Sequence, residues 1–271
     1  MYEQKLKEEI VEVGRRLHAG GYIAATDGNI SVRLEDGTIL TTPTGVNKGF
    51  MKPDMIVKVD SEGRKIEGRL NPSSELAMHL LIYQERPDIN SVVHAHPPFA
   101  TGFAAAGIAL DKALVSEVVL TLGCIPLAGY GTPSTYELTD ALKPYLKHHD
   151  AILMANHGAV AYGPTLEKAS WRMETLEHFA KITLVARLLG RENQLSGEDL
   201  AKLFDVRERA GLMPPEARYC QSCPYIAGEG SSCGSPASGA SYNGVMNGDE
   251  KITLTKNELI NLITEAARLL R

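Results

Sequence analysis

The chain has 271 residues, 44% of them hydrophobic and 23% charged, enough for one large core or two small ones. Its net charge of -5, with no basic block, argues against nucleic acid as the main partner, and no run approaches the ~18 apolar residues a membrane span needs. The start, Met1-Tyr-Glu-Gln-Lys-Leu-Lys-Glu, lacks the apolar stretch of a signal peptide, so a cytoplasmic setting is expected.

Leu6, Ile10, Val13 and Leu17 recur at helical spacing, which predicts an opening amphipathic helix stopped by Gly20-Gly21. Three short runs, 28–33, 38–41 and 56–59, are bounded by Asp, Gly or Pro turns and predict a meandering antiparallel sheet. Pro72-Ser-Ser-Glu75 opens a helix reaching about Glu85, ended by Arg86-Pro87, and the strand containing His94 and His96 follows. Next come an Ala-rich helical stretch after Pro97-Pro98 and short strands near 113–120 and 125–127. A helix over 136–146 precedes an apolar strand ending at His157. Thr165 to Leu189 has sustained helical spacing without Gly or Pro, and 197–210 is helical as well. Helices flanking a largely antiparallel central sheet predict an α/β fold, specifically an αβα sandwich, and no Gly-rich nucleotide loop is present.

Composition divides the chain into a globular domain over 1–215, a Gly/Ser-rich linker over 216–250 and an amphipathic helix over 251–271. The linker buries too little apolar surface to offset its ordering entropy. Cys220, Cys223 and Cys233 cluster at its start without a nearby histidine, so free thiols are expected there rather than a closed zinc site. The last segment opens with Thr255-x-x-Glu258, in the form of a capping box, and its wide apolar face needs something to bind.

The chemistry concentrates on histidine. A strand puts alternate side chains on one face, so His94 and His96 can grip one metal ion. His157 ends an apolar run and is followed by Gly158, which offers its side chain at the rim of a sheet. Three histidines with an open fourth position suit catalytic Zn2+. His18, His79, His148, His149 and His178 are isolated or on presumed helices and make no rival cluster. Glu75, in the first turn of the helix before the His-x-His strand, is the carboxylate to pair with the metal. Its plain alternative is favourable placement in the helix dipole, worth ~0.3 to 1 kcal/mol. Ser73 and Ser74 at the same helix start, and the turn Thr44-Gly45, can bind an anion through hydroxyls and backbone N–H groups, and Asn29 can supply an amide donor.

Together these residues resemble the class II aldolase and adducin-head family, in particular its fuculose 1-phosphate aldolases and pentulose phosphate epimerases. Gly28-Asn29-Ile-Ser31, Thr42-Pro-Thr44-Gly45, Ser73-Ser74-Glu75, His94-Ala-His96 and Asn156-His157-Gly158 stand in the family's order, and the likeness covers about residues 3 to 213. The resemblance implies one Zn2+ per subunit on His94, His96 and His157, Glu75 as acid/base, and substrate phosphate around Asn29, Thr44, Gly45, Ser73 and Ser74. It also implies a phosphorylated sugar as substrate and a homotetramer. The expected reaction is retro-aldol cleavage of a ketose 1-phosphate, best matched by L-fuculose 1-phosphate, to dihydroxyacetone phosphate and an aldehyde such as lactaldehyde. Epimerase, dehydratase and decarboxylase chemistry on the same fold, and a non-catalytic adducin-like module, are the alternatives.

The fuculose phosphate aldolase pattern expects a tyrosine after the His-x-His strand, from a neighbouring subunit. Residues 113–120 contain none, which leaves Glu117 or a tail tyrosine to complete the site, with Tyr130 a further specificity candidate. The tail looks like the encapsulation peptides of bacterial microcompartments, so 251–271 is expected to dock on a shell protein by helix-in-groove binding.

Overall fold

The computed structural model describes residues 2–214, so the expected linker and terminal helix, with Cys220, Cys223 and Cys233, lie outside the described residues. The first element, α1 (Tyr2–Ala19), buries Leu6, Ile10, Val13 and Leu17 on one stripe. Backbone bonds from Gly20 to Arg16 and from Gly21 to His18 close its last turn, as the Gly pair predicts.

Four antiparallel strands follow in a meander: β1 (Asn29–Arg33), β2 (Ile39–Thr41), β3 (Val57–Val59) and β4 (Lys65–Glu67). After α2 (Leu76–Glu85), the chain returns as β5 (Ser91–Ala95), which pairs antiparallel with β1. Three helices, α3 (Pro98–Ala105), α4 (Ser116–Thr121) and α5 (Tyr136–Leu142), are interleaved with the two-residue β6 (Leu127–Ala128). The strands β7 (Ala151–Met154) and β8 (Gly158–Gly163) form a hairpin, and α6 (Leu166–Leu188) and α7 (Gly197–Arg209) complete the described residues. The eight strands lie in the order β4-β3-β2-β1-β5-β8-β7-β6, and β6 with β7 is the parallel pair.

Side-chain alternation sorts the sheet's two faces into two cores. Ile30, Val93, Ala95, Ala159 and Ala161 pack with Ile10 of α1, Phe103 of α3 and Met173 and Phe179 of α6. On the other face Val92, Val160, Tyr162 and Met154 pack with Met78, Ile82 and Tyr83 of α2 and with Leu138 and Leu142 of α5. The result is the expected αβα sandwich with a largely antiparallel sheet.

Three elements differ from the sequence-based expectation. Residues 113–120 are read as a strand because of their Val-rich run, but Ser116–Thr121 forms α4. Its Val118 and Val119 are buried, and the Arg207 side chain of α7 donates to the carbonyls of Val119 and Leu122, satisfying groups a free helix end would leave orphaned. This tertiary support overrides local β-propensity. The strand β8 goes unanticipated because both its faces are buried, so Gly158-Ala-Val-Ala-Tyr-Gly163 shows no alternation. The strand β4 is short, polar and fully exposed, which leaves it without a hydrophobic signature.

Candidate metal centre and active site

His94 is the fourth residue of β5, and His96 follows directly after the strand's end. The backbone N–H of His96 donates to the Tyr22 carbonyl at 2.9 Å, which ties this exit down. Beyond Pro97, α3 begins with the N–H groups of Phe99 and Ala100 donating to the buried Glu177 carboxylate of α6 at 3.0 and 2.8 Å. Burial pushes the Glu177 carboxyl above its ordinary range, against the lowering effect of those two N–H bonds. His157 sits in the tight β7–β8 turn, where its N–H bonds the Met154 carbonyl and Asn156 adopts φ +57°. Asparagine tolerates that left-handed conformation at the third position of a turn.

Two glycines allow the approach. A Cβ on Gly28 would lie 2.8 Å from the His94 carbonyl oxygen, and one on Gly158 would lie 2.6 Å from His96 Cδ2. Any larger residue there would push the histidines apart.

The three imidazoles meet. His94 Nε2 and His96 Nε2 are 3.1 Å apart, and potential ligand atoms of His94, His96 and His157 all lie within 4.8 Å of one another. The Glu75 carboxylate closes the group, with Oε2 3.3 Å from His94 Nε2 and Oε1 3.2 Å from His157 Nε2. His94 Nδ1–H donates to the Ala159 carbonyl at 2.9 Å, so its Nε2 carries the lone pair. Ligands ~2.0–2.1 Å from a zinc ion are separated by about 3.3 Å along tetrahedral edges, close to the 3.1 Å between His94 Nε2 and His96 Nε2. Lone pairs gathered this closely without a cation would repel, so the donor set fits a metal ion. Burial and the neighbouring His94 and His157 push His96 down to about 4, which keeps its imidazole neutral and able to ligate.

Glu75 is the residue immediately before α2 rather than part of its first turn, and its carboxylate makes no capping bond to its own helix. Instead Glu75 Oε2 accepts from Asn29 Nδ2 at 2.9 Å. Burial raises this carboxyl, while hydrogen bonds and positive charge from protonated His157 and His94 rings would outweigh it and lower it.

The two hydroxyl-bearing loops are brought together. Thr44 N–H donates to the Asn71 carbonyl and Ser73 N–H to the Thr42 carbonyl, both at 3.1 Å, so the segments lie side by side at the start of α2. Thr44, Gly45 and Ser74 are exposed, while Ser73 is buried with its Oγ accepting from the Glu75 N–H. Asn29, expected among the phosphate donors, is buried, with its amide engaged by Glu75 and His79. Glu117 is exposed in the first turn of α4 and bonds Ser116.

Three groups near the centre escape the sequence reading. Asp27 Oδ2 is 3.5 Å from His96 Nδ1. Lys48 is buried, donates to the Thr26 carbonyl, and has its pKa lowered by burial against the opposing pull of Asp27 and Glu75. His79, set aside as isolated, is buried against Asn29 and Ser31. Its position four residues after Glu75, one turn along the same helix face, is the signal that could have found it.

Residues 8–184 match the class II aldolase and adducin N-terminal domain. The chain belongs to this class II aldolase family. A 5-deoxy-D-ribulose 1-phosphate aldolase of Bacillus thuringiensis serovar kurstaki is 36% identical over 210 residues, covering 76% of this chain and 98% of the relative. A 3-oxo-tetronate 4-phosphate decarboxylase of Escherichia coli strain K12 is 34% identical over 188 residues, covering 68% and 88%. Among solved structures, an L-fuculose 1-phosphate aldolase superposes with a TM-score of 0.71 at 31% identity, covering 76% of this chain and 96% of that one. The histidine triad of this class II aldolase family member could hold a metal ion.

Proposed function

We propose that the protein is a zinc-dependent aldehyde-lyase that cleaves a deoxy-ketose 1-phosphate, such as L-fuculose or 5-deoxyribulose 1-phosphate, into dihydroxyacetone phosphate and an aldehyde. The observation that carries this reading is the convergence of His94, His96 and His157 with a carboxylate 3.2 to 3.3 Å from two of them. Zinc bound there would polarise the C2 carbonyl and stabilise the negative charge released when C3–C4 breaks. Glu75 would take the C4 hydroxyl proton as the aldehyde forms and return it to C3 of the three-carbon product. Thr44, Gly45, Ser73 and Ser74 hold the substrate phosphate through hydroxyls and backbone N–H groups, and Asn29 serves Glu75 instead of the phosphate.

Decarboxylation of a 3-oxo acid phosphate is the second reading, favoured by the Escherichia coli relative's comparable identity and by the lack of a tyrosine in 113–120. The test is release of dihydroxyacetone phosphate from fuculose, rhamnulose and 5-deoxyribulose 1-phosphates, beside CO2 release from 3-oxo-tetronate 4-phosphate, with and without chelator. CO2 without any aldol product overturns the aldolase reading. Turnover that survives complete metal removal overturns the zinc mechanism. Absence of all turnover by metal-replete protein would favour the adducin-like binding module.

The family resemblance supports a homotetramer, and the pattern of 251–271 supports docking on a microcompartment shell protein in the cytoplasm. Residues 251–271 fused to a fluorescent protein should then co-localise with shells; diffuse fluorescence beside intact shells refutes the targeting.

A further inference from the structure

Behind Glu75, four hydrogen bonds join five buried or half-buried side chains from β1, α2 and the residue just before α2. Asn29 Nδ2 donates to Glu75 Oε2 at 2.9 Å, and Asn29 Oδ1 is 2.5 Å from His79 Nε2. His79 Nδ1 is 2.7 Å from Ser31 Oγ, which is 2.7 Å from Tyr83 Oη. Asn29 and Ser31 are alternate residues of β1, and His79 and Tyr83 are one turn apart on α2, so the ladder follows from the register of strand against helix.

The hydrogens in this ladder can be assigned by elimination. The opposite orientation of the Asn29 amide would set its oxygen against a carboxylate oxygen, so Nδ2 faces Glu75 and Oδ1 faces His79. A carbonyl oxygen only accepts, and His79 Nε2 must therefore carry a hydrogen. Burial pushes His79 down to about 3, so the ring is neutral and Nδ1 is an acceptor. Ser31 spends its single hydrogen on Nδ1, which makes the Tyr83 phenol the donor to Ser31. Every bond runs one way, from Tyr83 toward Glu75.

The two carboxylate oxygens are consequently unequal. Oε2 is held by Asn29, whereas Oε1 is buried without a hydrogen-bond partner, the His157 Nε2 nearby at 3.2 Å lying outside bonding geometry. We propose that His79 is a positioning residue: as the Nε2–H tautomer, backed by Ser31 and Tyr83, it locks the Asn29 amide so that Glu75 presents Oε1 as its proton-carrying oxygen. His79 bonds Asn29 and Ser31 and acts on Glu75 through Asn29. The proposal rests on the reading of Glu75 as the acid/base, but its first two readouts need no substrate.

The first readout is the His79 tautomer in the 15N-labelled, metal-loaded protein, read from long-range 1H–15N correlations and assigned against His79→Gln. Nε2–H with an accepting Nδ1 is expected; an Nδ1–H tautomer or an imidazolium overturns the assignment. The second is the visible spectrum of the Co2+-substituted protein, which reports the ligand field Glu75 borders. His79→Leu should shift it and His79→Gln, whose amide can still donate to Asn29, should restore it; identical spectra for wild type and His79→Leu overturn the positioning role. With the substrate that proves active, His79→Leu should lower kcat about 10–100-fold with KM and metal content retained. A loss that merely tracks the fraction of folded, metal-loaded protein, or no rescue by His79→Gln, also overturns it. If no candidate substrate is turned over, the tautomer and the cobalt spectrum still decide the proposal while the aldolase reading alone fails.

Discussion

Asn29 and His94 are direct cross-strand partners on β1 and β5, and the Glu75 carboxylate bridges them, with one oxygen 2.9 Å from Asn29 Nδ2 and 3.3 Å from His94 Nε2. The carboxylate is thus tied to a metal-ligand candidate by the same register that pairs the strands. Glu75→Gln keeps the shape but cannot take up and return a proton. It should retain the metal and lower kcat by about 10²–10⁴-fold. Metal content and steady-state kinetics on one preparation check this, and unchanged turnover removes Glu75 from proton transfer.

The triad makes a separate, substrate-free prediction. His157→Ala deletes one of the three converging imidazoles, and His94→Ala deletes the one whose tautomer Ala159 fixes. Each should weaken metal binding on the order of 100-fold or more, whereas His178→Ala, on α6 and outside the triad, should leave it alone. Competition with a chromophoric chelator measures the affinities, and equal affinity in His157→Ala would exclude it as a ligand.

How much of this was legible follows from range in sequence. His94 and His96 declare themselves because strand alternation is local, and the helix α6 because its spacing runs unbroken. The service of Asn29 to Glu75 depends on the β1–β5 register and on α2 lying over that face, neither of which a single segment encodes. His79 was unreadable for the same reason: its partners lie about 50 residues away, in β1. The segment 113–120 misled because its valines favour a strand locally, while the buried Arg207 that caps it as a helix belongs to α7.

His149 is buried beside the Arg86–Asp150 ion pair, and burial lowers its pKa to about 4 from 6.5 despite the opposing bond to the Cys124 carbonyl. The unfolded chain therefore takes up a proton near pH 6.5 that the folded chain refuses until near pH 4. The stability due to this site is full above about 6.5 and is lost as pH falls toward 4, on the order of 3 kcal/mol in total. Denaturant unfolding at pH 7.5 and 5 should show wild type losing more stability than His149→Gln, which does not titrate. Equal losses would show that this imidazole is not the responsible group.

Glu177 tests how the sequence after His96 is held. Its two oxygens receive the first N–H groups of α3, and Glu177→Gln replaces one acceptor with a donor facing an N–H. One buried N–H is left unsatisfied, at a cost of ~1–3 kcal/mol. Thermal unfolding reads the loss, and a variant as stable as wild type would mean the start of α3 relaxes without this carboxylate.

Gly158 is the sharpest steric test, because a methyl group there has nowhere to go. In Gly158→Ala the new Cβ would lie 2.7 Å from the Ala95 carbonyl oxygen and 2.6 Å from His96 Cδ2. The carbonyl belongs to the β5–β8 ladder and cannot retreat without breaking strand pairing, so the His96 ring must swing instead. That motion carries Nε2 away from His94. The expected result is a stability loss of ~1–3 kcal/mol together with a metal affinity lowered about 10–100-fold. Unfolding and chelator competition on the same protein separate the two effects: lost stability with full metal affinity would mean that the strand yields and the imidazole does not.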